Sequence, residues 1–197
     1  MAIYDLFMEP LERNGLRRLR KKLVPKARGK VLEIGAGTGL NLDYYDKEKV
    51  SSLVMVDRDL KSRVLKKKLV DFGNLNTAFK EENVMKLSFP SGSFDTVVFT
   101  LVFCTVADVE QGLKEIKRVL KNEGSIIFIE HVRPKAEPLG KTFDTLTPLW
   151  KKLASGCHLN RETEETLKNM GFDLKVEDKI MKDIFLGGTG TIKKTAR

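Results

Sequence analysis

Short apolar runs alternate with segments of helical spacing along most of this 197-residue chain. Residues 3–24 predict a helix, with Leu16, Leu19 and Leu23 on one face and arginines and lysines around it; Pro25 and Gly29 end it. Lys30–Ile34 is an apolar strand running into Gly35-Ala36-Gly37-Thr38-Gly39, and a helix is expected from about Leu40. Ser52–Val56 predicts a strand ending at Asp57, Leu60–Phe72 a helix and Thr77–Glu82 a further strand. Phe94–Leu101 is the clearest central strand, and Val109–Leu120 places Leu113, Ile116, Val119 and Leu120 on one helical face. Asn122-Glu123-Gly124 reads as a turn before a buried strand at Ser125–Glu130. Residues 134–159 hold proline, glycine and one helix around Leu149–Leu153. Arg161–Met170 is helical with Gly171 as its stop, and Leu174–Ile180 and Phe185–Lys193 are two final strands. Alternating strand and helix means right-handed crossovers and an α/β fold with a mainly parallel central sheet. The last two strands, consecutive in sequence, are expected as an antiparallel pair at one side.

Composition changes this picture little. Hydrophobic residues make up 41% and charged residues 32%, an ordinary globular balance. No repeat or linker divides the chain, so residues 1–197 are expected as one domain, with a basic amphipathic helix at 1–28 and an insertion at 134–159. The longest apolar stretch, Thr96–Ala107, is too short to span a bilayer, and Met1–Pro10 lacks a signal-peptide pattern. The expectation is a cytoplasmic protein with Cys104 and Cys157 reduced.

Charge matters more. The formal net charge is +9, and Arg13 to Lys30 holds nine Lys/Arg with no Asp/Glu. A second basic run covers Arg58, Lys61, Arg63, Lys66, Lys67 and Lys68. Such clusters suit an anionic membrane surface or nucleic acid, or are simply solvated helix faces. Nucleic acid has only the charge in its favour, because neither an aromatic-studded basic strand nor a helix–turn–helix pattern is present.

The glycine loop is the first candidate for chemistry. In an open α/β sheet, ligands bind beyond the carboxyl ends of the strands, at the switch point. A dinucleotide fingerprint needs a small residue three positions after Gly37, where this chain has Leu40; nor does a lysine follow at the spacing of a phosphate loop. Glu33 would repel a pyrophosphate but attract an ammonium or sulfonium group. Asp57 lies twenty residues after Gly37, where a carboxylate can accept hydrogen bonds from ribose hydroxyls. Each feature alone also fits a plain strand–helix turn or a helix cap. Together they point to a nucleoside ligand.

Val31-Leu32-Glu33-Ile34-Gly35-Ala36-Gly37-Thr38-Gly39 resembles motif I of the class I S-adenosylmethionine-dependent methyltransferases. Leu87-Ser88-Phe89-Pro90-Ser91-Gly92-Ser93-Phe94-Asp95 and Arg118-Val119-Leu120-Lys121-Asn122-Glu123-Gly124 resemble two later stretches of the quinone-methyltransferase-like branch. Tyr4-Asp5, Thr100 to Val106, Glu130-His131-Val132 and Gly156 to Arg161 resemble a subgroup containing phosphatidylethanolamine and alkyl-thiol methyltransferases. The resemblance implies a Rossmann-like fold and S-adenosylmethionine as cofactor. It implies that Glu33, Gly35 and Gly37 hold the methionine end and Asp57 the ribose. Glu82 and Asn83 stand where an adenine contact is expected, with Val84 packing on the ring. Ala36, Gly39, Arg58 and Leu101 complete the expected cofactor-binding set.

Methyl transfer needs an acceptor placed near the sulfonium, water excluded, and a base only where the nucleophile carries a proton. His131 is the candidate base, with a loop-bonded histidine as its plain alternative; Tyr4 is a candidate lid residue or an anchor for its helix. Cys104 reads as a wall residue, and the His131, Cys104, Cys157 and His158 spacing matches no metal pattern. Phe143, Leu146, Leu149, Trp150 and Leu153 make the insertion apolar. The acceptor is therefore expected to be apolar or amphiphilic, a phospholipid headgroup amine first, then a small alkyl thiol or a quinone precursor. A non-catalytic S-adenosylmethionine-binding protein is the alternative of a different class.

Overall fold

The structure is a computed structural model that describes residues 9–58, 76–154 and 156–194. Its strands are β1 (Gly29–Ile34), β2 (Val50–Asp57), β3 (Asn76–Glu81), β4 (Phe94–Thr100), β5 (Leu120–His131), β6 (Phe172–Ile180) and β7 (Phe185–Ile192). They form one sheet in the order β3-β2-β1-β4-β5-β7-β6. All pairings are parallel except those of β7, which runs antiparallel to both β5 and β6. The chain moves outward from β1 through β2 to β3, then returns to β4 on the other side of β1. The switch point therefore lies between the carboxyl ends of β1 and β4, where the glycine loop begins.

The expected strands are present with ends moved by at most two residues, except that the strand expected from Ser125 begins at Leu120. Apolar residues on opposite sides of each strand separate into two cores. Val31, Leu53, Met55, Val98, Ile127 and Ile129 pack with Leu16, Leu19 and Leu23 on one face. Leu32, Val97, Phe99 and Phe128 pack with Leu113, Ile116 and Val119 of α2 (Val109–Val119) on the other. Asp108 caps α2, accepting from the Gln111 N–H at 2.9 Å.

Four expectations change. The first helix is not uniform: a π-helical turn (Glu12–Leu16) leads into α1 (Arg17–Leu23) and a 3₁₀ turn (Val24–Lys26). Its apolar stripe is fully buried, as are Glu12 and Arg20, and of its outward-facing charges Arg18 and Lys22 lie against Asp178. The helix expected from Leu40 is only a 3₁₀ turn (Leu42–Tyr44). Asp46 ends it, its carboxylate accepting from the Glu48 N–H at 3.1 Å and pairing with Lys49. The turn at Asn122–Gly124 becomes an excursion within β5: Leu120 pairs with Phe94 and Ser125 with Thr96. The insertion folds as α3 (Glu137–Leu153), far longer than expected, followed by α4 (Thr163–Asn169). Pro138 sits in the first turn of α3, where its missing N–H costs nothing, and Pro148 is accommodated inside it. The expected helix at Leu60–Phe72, most of the second basic run and Tyr4 lie outside the described residues. Among the described residues, no helix is long and apolar enough to cross a membrane.

Candidate functional site

The glycine loop is pinned at its base and open above. The N–H groups of Gly35 and Ala36 both donate to Val56 O, at 2.8 and 3.1 Å, tying the end of β1 to that of β2. Gly35 has φ +69°, and a Cβ there would lie 2.4 Å from Val102 Cγ2, so both conformation and space demand glycine. Gly37, at φ +52°, differs: a Cβ would meet nothing within 4 Å. Its N–H donates to Asp57 Oδ2 at 2.8 Å, and the Gly39 N–H returns to Ala36 O at 2.8 Å. Exposed backbone thus lies beside a carboxylate at the switch point, a cradle that fits a ribose-bearing ligand approaching the main chain closely.

Glu33 is buried directly beneath this loop. It accepts from Asn41 Nδ2 at 3.0 Å and from the Tyr45 hydroxyl at 2.8 Å. Asn41 also donates to Thr100 Oγ1 at 2.9 Å and accepts from Arg20 at 2.6 Å, and Arg20 pairs with buried Glu12. Burial pushes the Glu33 carboxyl up to about 7, against the opposing pull of Tyr45, Asn41 and Arg20. Asn41 and Tyr45 were not singled out in the sequence. Their spacing of four on a polar turn carries no signal by itself.

At the end of β3, the Glu82 N–H donates to Asp57 O at 3.0 Å, which brings the expected adenine segment alongside Asp57. The Glu82 carboxylate accepts from Ser88 N at 3.1 Å and from the Ser88 hydroxyl, so it serves that turn. Asn83 Oδ1 accepts from Met85 N at 3.0 Å, and Val84 is buried. Arg118 donates to Leu87 O at 2.9 Å and to Phe89 O at 2.6 Å, fastening the two later motif stretches together. Leu101 ends β4 at φ +57°, a strained conformation for a non-glycine residue, its N–H held by Ile129 O at 2.8 Å. Arg58 is exposed at the end of β2.

The ends of β4 and β5 form a second cluster. Glu130 is fully buried; its Oε1 accepts from the N–H groups of Val102 at 3.0 Å and Phe103 at 3.2 Å. Its Oε2 has no hydrogen-bond partner. Burial raises this carboxyl to about 8. Arg161 donates to Phe103 O and lies near Glu130 and both thiols. Cys104 and Cys157, far apart in sequence, lie side by side, and the Cys104 thiol donates to Leu101 O at 3.6 Å. Cys104, Trp150 and the charge of Arg161 bring Cys157 down to about 7, while Cys157 and burial push Cys104 up against the pull of Arg161.

His131 lies on the opposite face of β5 from Glu130, as strand alternation dictates. Its ring stacks on Phe143 at 5.9 Å and meets Phe185 edge-on at 5.3 Å. Its Nδ1 has no partner, so it is not the loop-bonded histidine considered from the sequence, and burial drops its pKa to about 4. Burial thus holds this imidazole neutral between two phenyl rings. Its neighbour Glu130, raised to about 8, titrates nearer neutral pH than His131 does. Among the described residues, no group of three or more His, Cys, Asp or Glu could hold a metal ion.

Residues 32–128 match a family described as a methyltransferase domain. The chain is 35% identical over 156 residues to the human thiol S-methyltransferase TMT1B, covering 74% of this chain and 62% of that one. It is 34% identical over 154 residues to the ubiquinone/menaquinone biosynthesis C-methyltransferase UbiE of Cellvibrio japonicus, covering 73% and 61%. The chain thus spans about three-fifths of the length of these curated relatives. Its fold matches that of DhpI in complex with SAH, with a TM-score of 0.65, 19% identity, and coverage of 98% and 90%. With the switch-point glycine loop, the seven-stranded sheet and these relatives in hand, the chain belongs to the class I S-adenosylmethionine-dependent methyltransferases.

Proposed function

We propose that this protein transfers a methyl group from S-adenosylmethionine to a small apolar acceptor, with alkyl thiols as the first class. The observation that carries the cofactor assignment is the Gly37–Asp57 pair beneath open space. Gly35 and Gly37 present backbone to the amino-acid end, Glu33 supplies negative charge below it, and Asp57 takes the ribose hydroxyls. Ala36, Gly39, Arg58 and Leu101 frame the loop, while Asn83 and Val84 border the adenine. The cofactor supplies an activated methyl group on a sulfonium sulfur.

The protein's own work is placement, exclusion of water and removal of a proton. Phe103, Cys104 and Val102 give an apolar wall at the end of β4. Glu130 Oε2 would take the proton of an acceptor thiol as that sulfur gained the methyl group, the methyl–sulfonium bond breaking to leave a neutral thioether. A base whose pKa lies near 8 is matched to a thiol, whose unperturbed value is about 8.5. The thiol reading is favoured by similarity to a thiol S-methyltransferase, and a quinone precursor is the second reading, favoured by similarity to a quinone C-methyltransferase.

The test is a transfer assay with methyl-labelled S-adenosylmethionine against alkyl thiols, demethylated quinone precursors and phosphatidylethanolamine. Label in the thiols is the expected result. Label only in phosphatidylethanolamine would restore the headgroup amine expected from the sequence. Cofactor binding without label in any acceptor would make the protein a non-catalytic binder.

A further inference from the structure

The most exposed large apolar side chains among the described residues lie on one helix. Leu146 (47% exposed), Leu149 (60%), Trp150 (44%) and Leu153 (74%) all belong to α3. Their spacing of three, four and seven places them in one stripe. The helix is anchored along the side next to Trp150: Arg133 pairs with Asp144 at 2.9 Å, Thr147 is buried, and the Phe143 ring stacks on His131. The stripe therefore faces away from the protein because of how α3 is seated, and not because the helix lacks a seat.

Charge identifies the occupant. At 100° per residue, Lys141 and Lys152 are eleven positions apart and fall within about 20° of one another, along one flank of the stripe. Both are exposed, and no Asp or Glu shares the stripe; Glu137, one turn before Lys141, is paired with Arg133 at 3.6 Å. The acidic residues of α3, Glu137 and Asp144, lie off the stripe and both pair with Arg133. The chain as a whole carries +9. An apolar ridge with a tryptophan and a cationic edge is the composition of a helix lying in a membrane interface. A second copy of this chain, equally basic, would bring like charges together.

Position gives the surface a use. The chain leaving α3 returns to the end of β4, where the His158 N–H donates to Cys104 O at 2.8 Å and Cys157 lies between Trp150 and Cys104. The ridge thus adjoins the wall of the proposed acceptor site. We propose that the α3 ridge of Leu146, Leu149, Trp150 and Leu153, edged by Lys141 and Lys152, seats the protein on an anionic lipid surface. The buried stripe of α1 takes no part in insertion; its arginines add only long-range attraction. The inference does not depend on which acceptor is methylated, because binding is measured with neither cofactor nor acceptor present.

Trp150 is the only tryptophan in the chain, so its fluorescence reports on this ridge alone. Phosphatidylglycerol-containing vesicles should shift its emission to the blue, brominated lipids should quench it, and pure phosphatidylcholine should do neither at low lipid. Leu149→Glu with Leu153→Glu retains the fluorophore and should weaken co-sedimentation on the order of tenfold or more. Both positions are exposed, so an unchanged circular dichroism spectrum and unchanged S-adenosylmethionine affinity are the folding controls. Lys141→Gln with Lys152→Gln should weaken anionic binding and reduce its salt dependence. Absence of wild-type co-sedimentation with anionic vesicles at low salt overturns the proposal. So does equal vesicle binding by the double glutamate variant, or a blue shift that appears with rising protein concentration alone and marks a second copy as the occupant.

Discussion

Arg20 and Asn41 share a hydrogen bond of 2.6 Å that joins the first helix to the carboxylate beneath the glycine loop. Arg20 is buried and also pairs with buried Glu12 at 3.0 Å. Removing one partner of a buried pair leaves an uncompensated charge, which costs about 3–5 kcal/mol. Arg20→Met is therefore expected to lower unfolding stability by about that much in urea titration. Arg18→Met, whose partner Asp178 it meets at the surface, should leave the midpoint nearly unchanged. Equal effects of the two would remove the buried network from the fold's support.

Asp57 organises the loop and is proposed to hold the ribose. Asp57→Ala loses both the Gly37 bond and the ligand bonds, and should weaken S-adenosylmethionine binding by about 1–3 kcal/mol. Asp57→Asn keeps an acceptor for Gly37 and should fall between wild type and alanine. Calorimetry giving wild-type affinity for the alanine variant, with the fold intact, would take Asp57 out of the site.

Glu33 should couple cofactor binding to pH. Its folded pKa, about 7, lies above the unfolded value near 4.3, so its contribution to stability is full below about 4.3 and is lost as pH rises to about 7. A cationic ligand favours the ionised form. Affinity should therefore rise with pH up to about 7, and binding at pH 6 should release protons, measured by calorimetry in buffers of differing ionisation enthalpy. Glu33→Gln should show no such release.

Glu130 and His131 separate the two readings of the acceptor side. Turnover of a thiol should rise with pH through about 8 as Glu130 loses its proton, and Glu130→Gln should lose that limb while keeping cofactor affinity. His131→Phe preserves an aromatic ring between Phe143 and Phe185 and should keep most turnover. The reverse pattern would return the base role to His131.

Cys157 should be the reactive thiol. With its pKa near 7 and partial exposure, its alkylation by iodoacetamide should rise through neutral pH, while buried Cys104 stays protected until the protein unfolds. Peptide mass spectrometry distinguishes the two. Faster labelling of Cys104 would contradict the arrangement of the pair.

The sequence by itself determined the strands, the glycine loop and Asp57. Apolar runs of strand length and glycines at positive φ are local signals, and the parallel order follows from alternating elements. It also determined that residues 134–159 are apolar. The tertiary structure decided what those residues face. Proline positions hid the length of α3, because whether a proline breaks a helix depends on where the helix begins and on what holds it. The Asn41–Glu33 and Cys104–Cys157 contacts join residues on different elements, which no periodicity reveals. The different settings of Glu130 and His131 have the same origin. Strand alternation places adjacent residues on opposite faces, but only packing decides which face leaves a carboxylate oxygen without a partner and which wedges an imidazole between two phenyl rings.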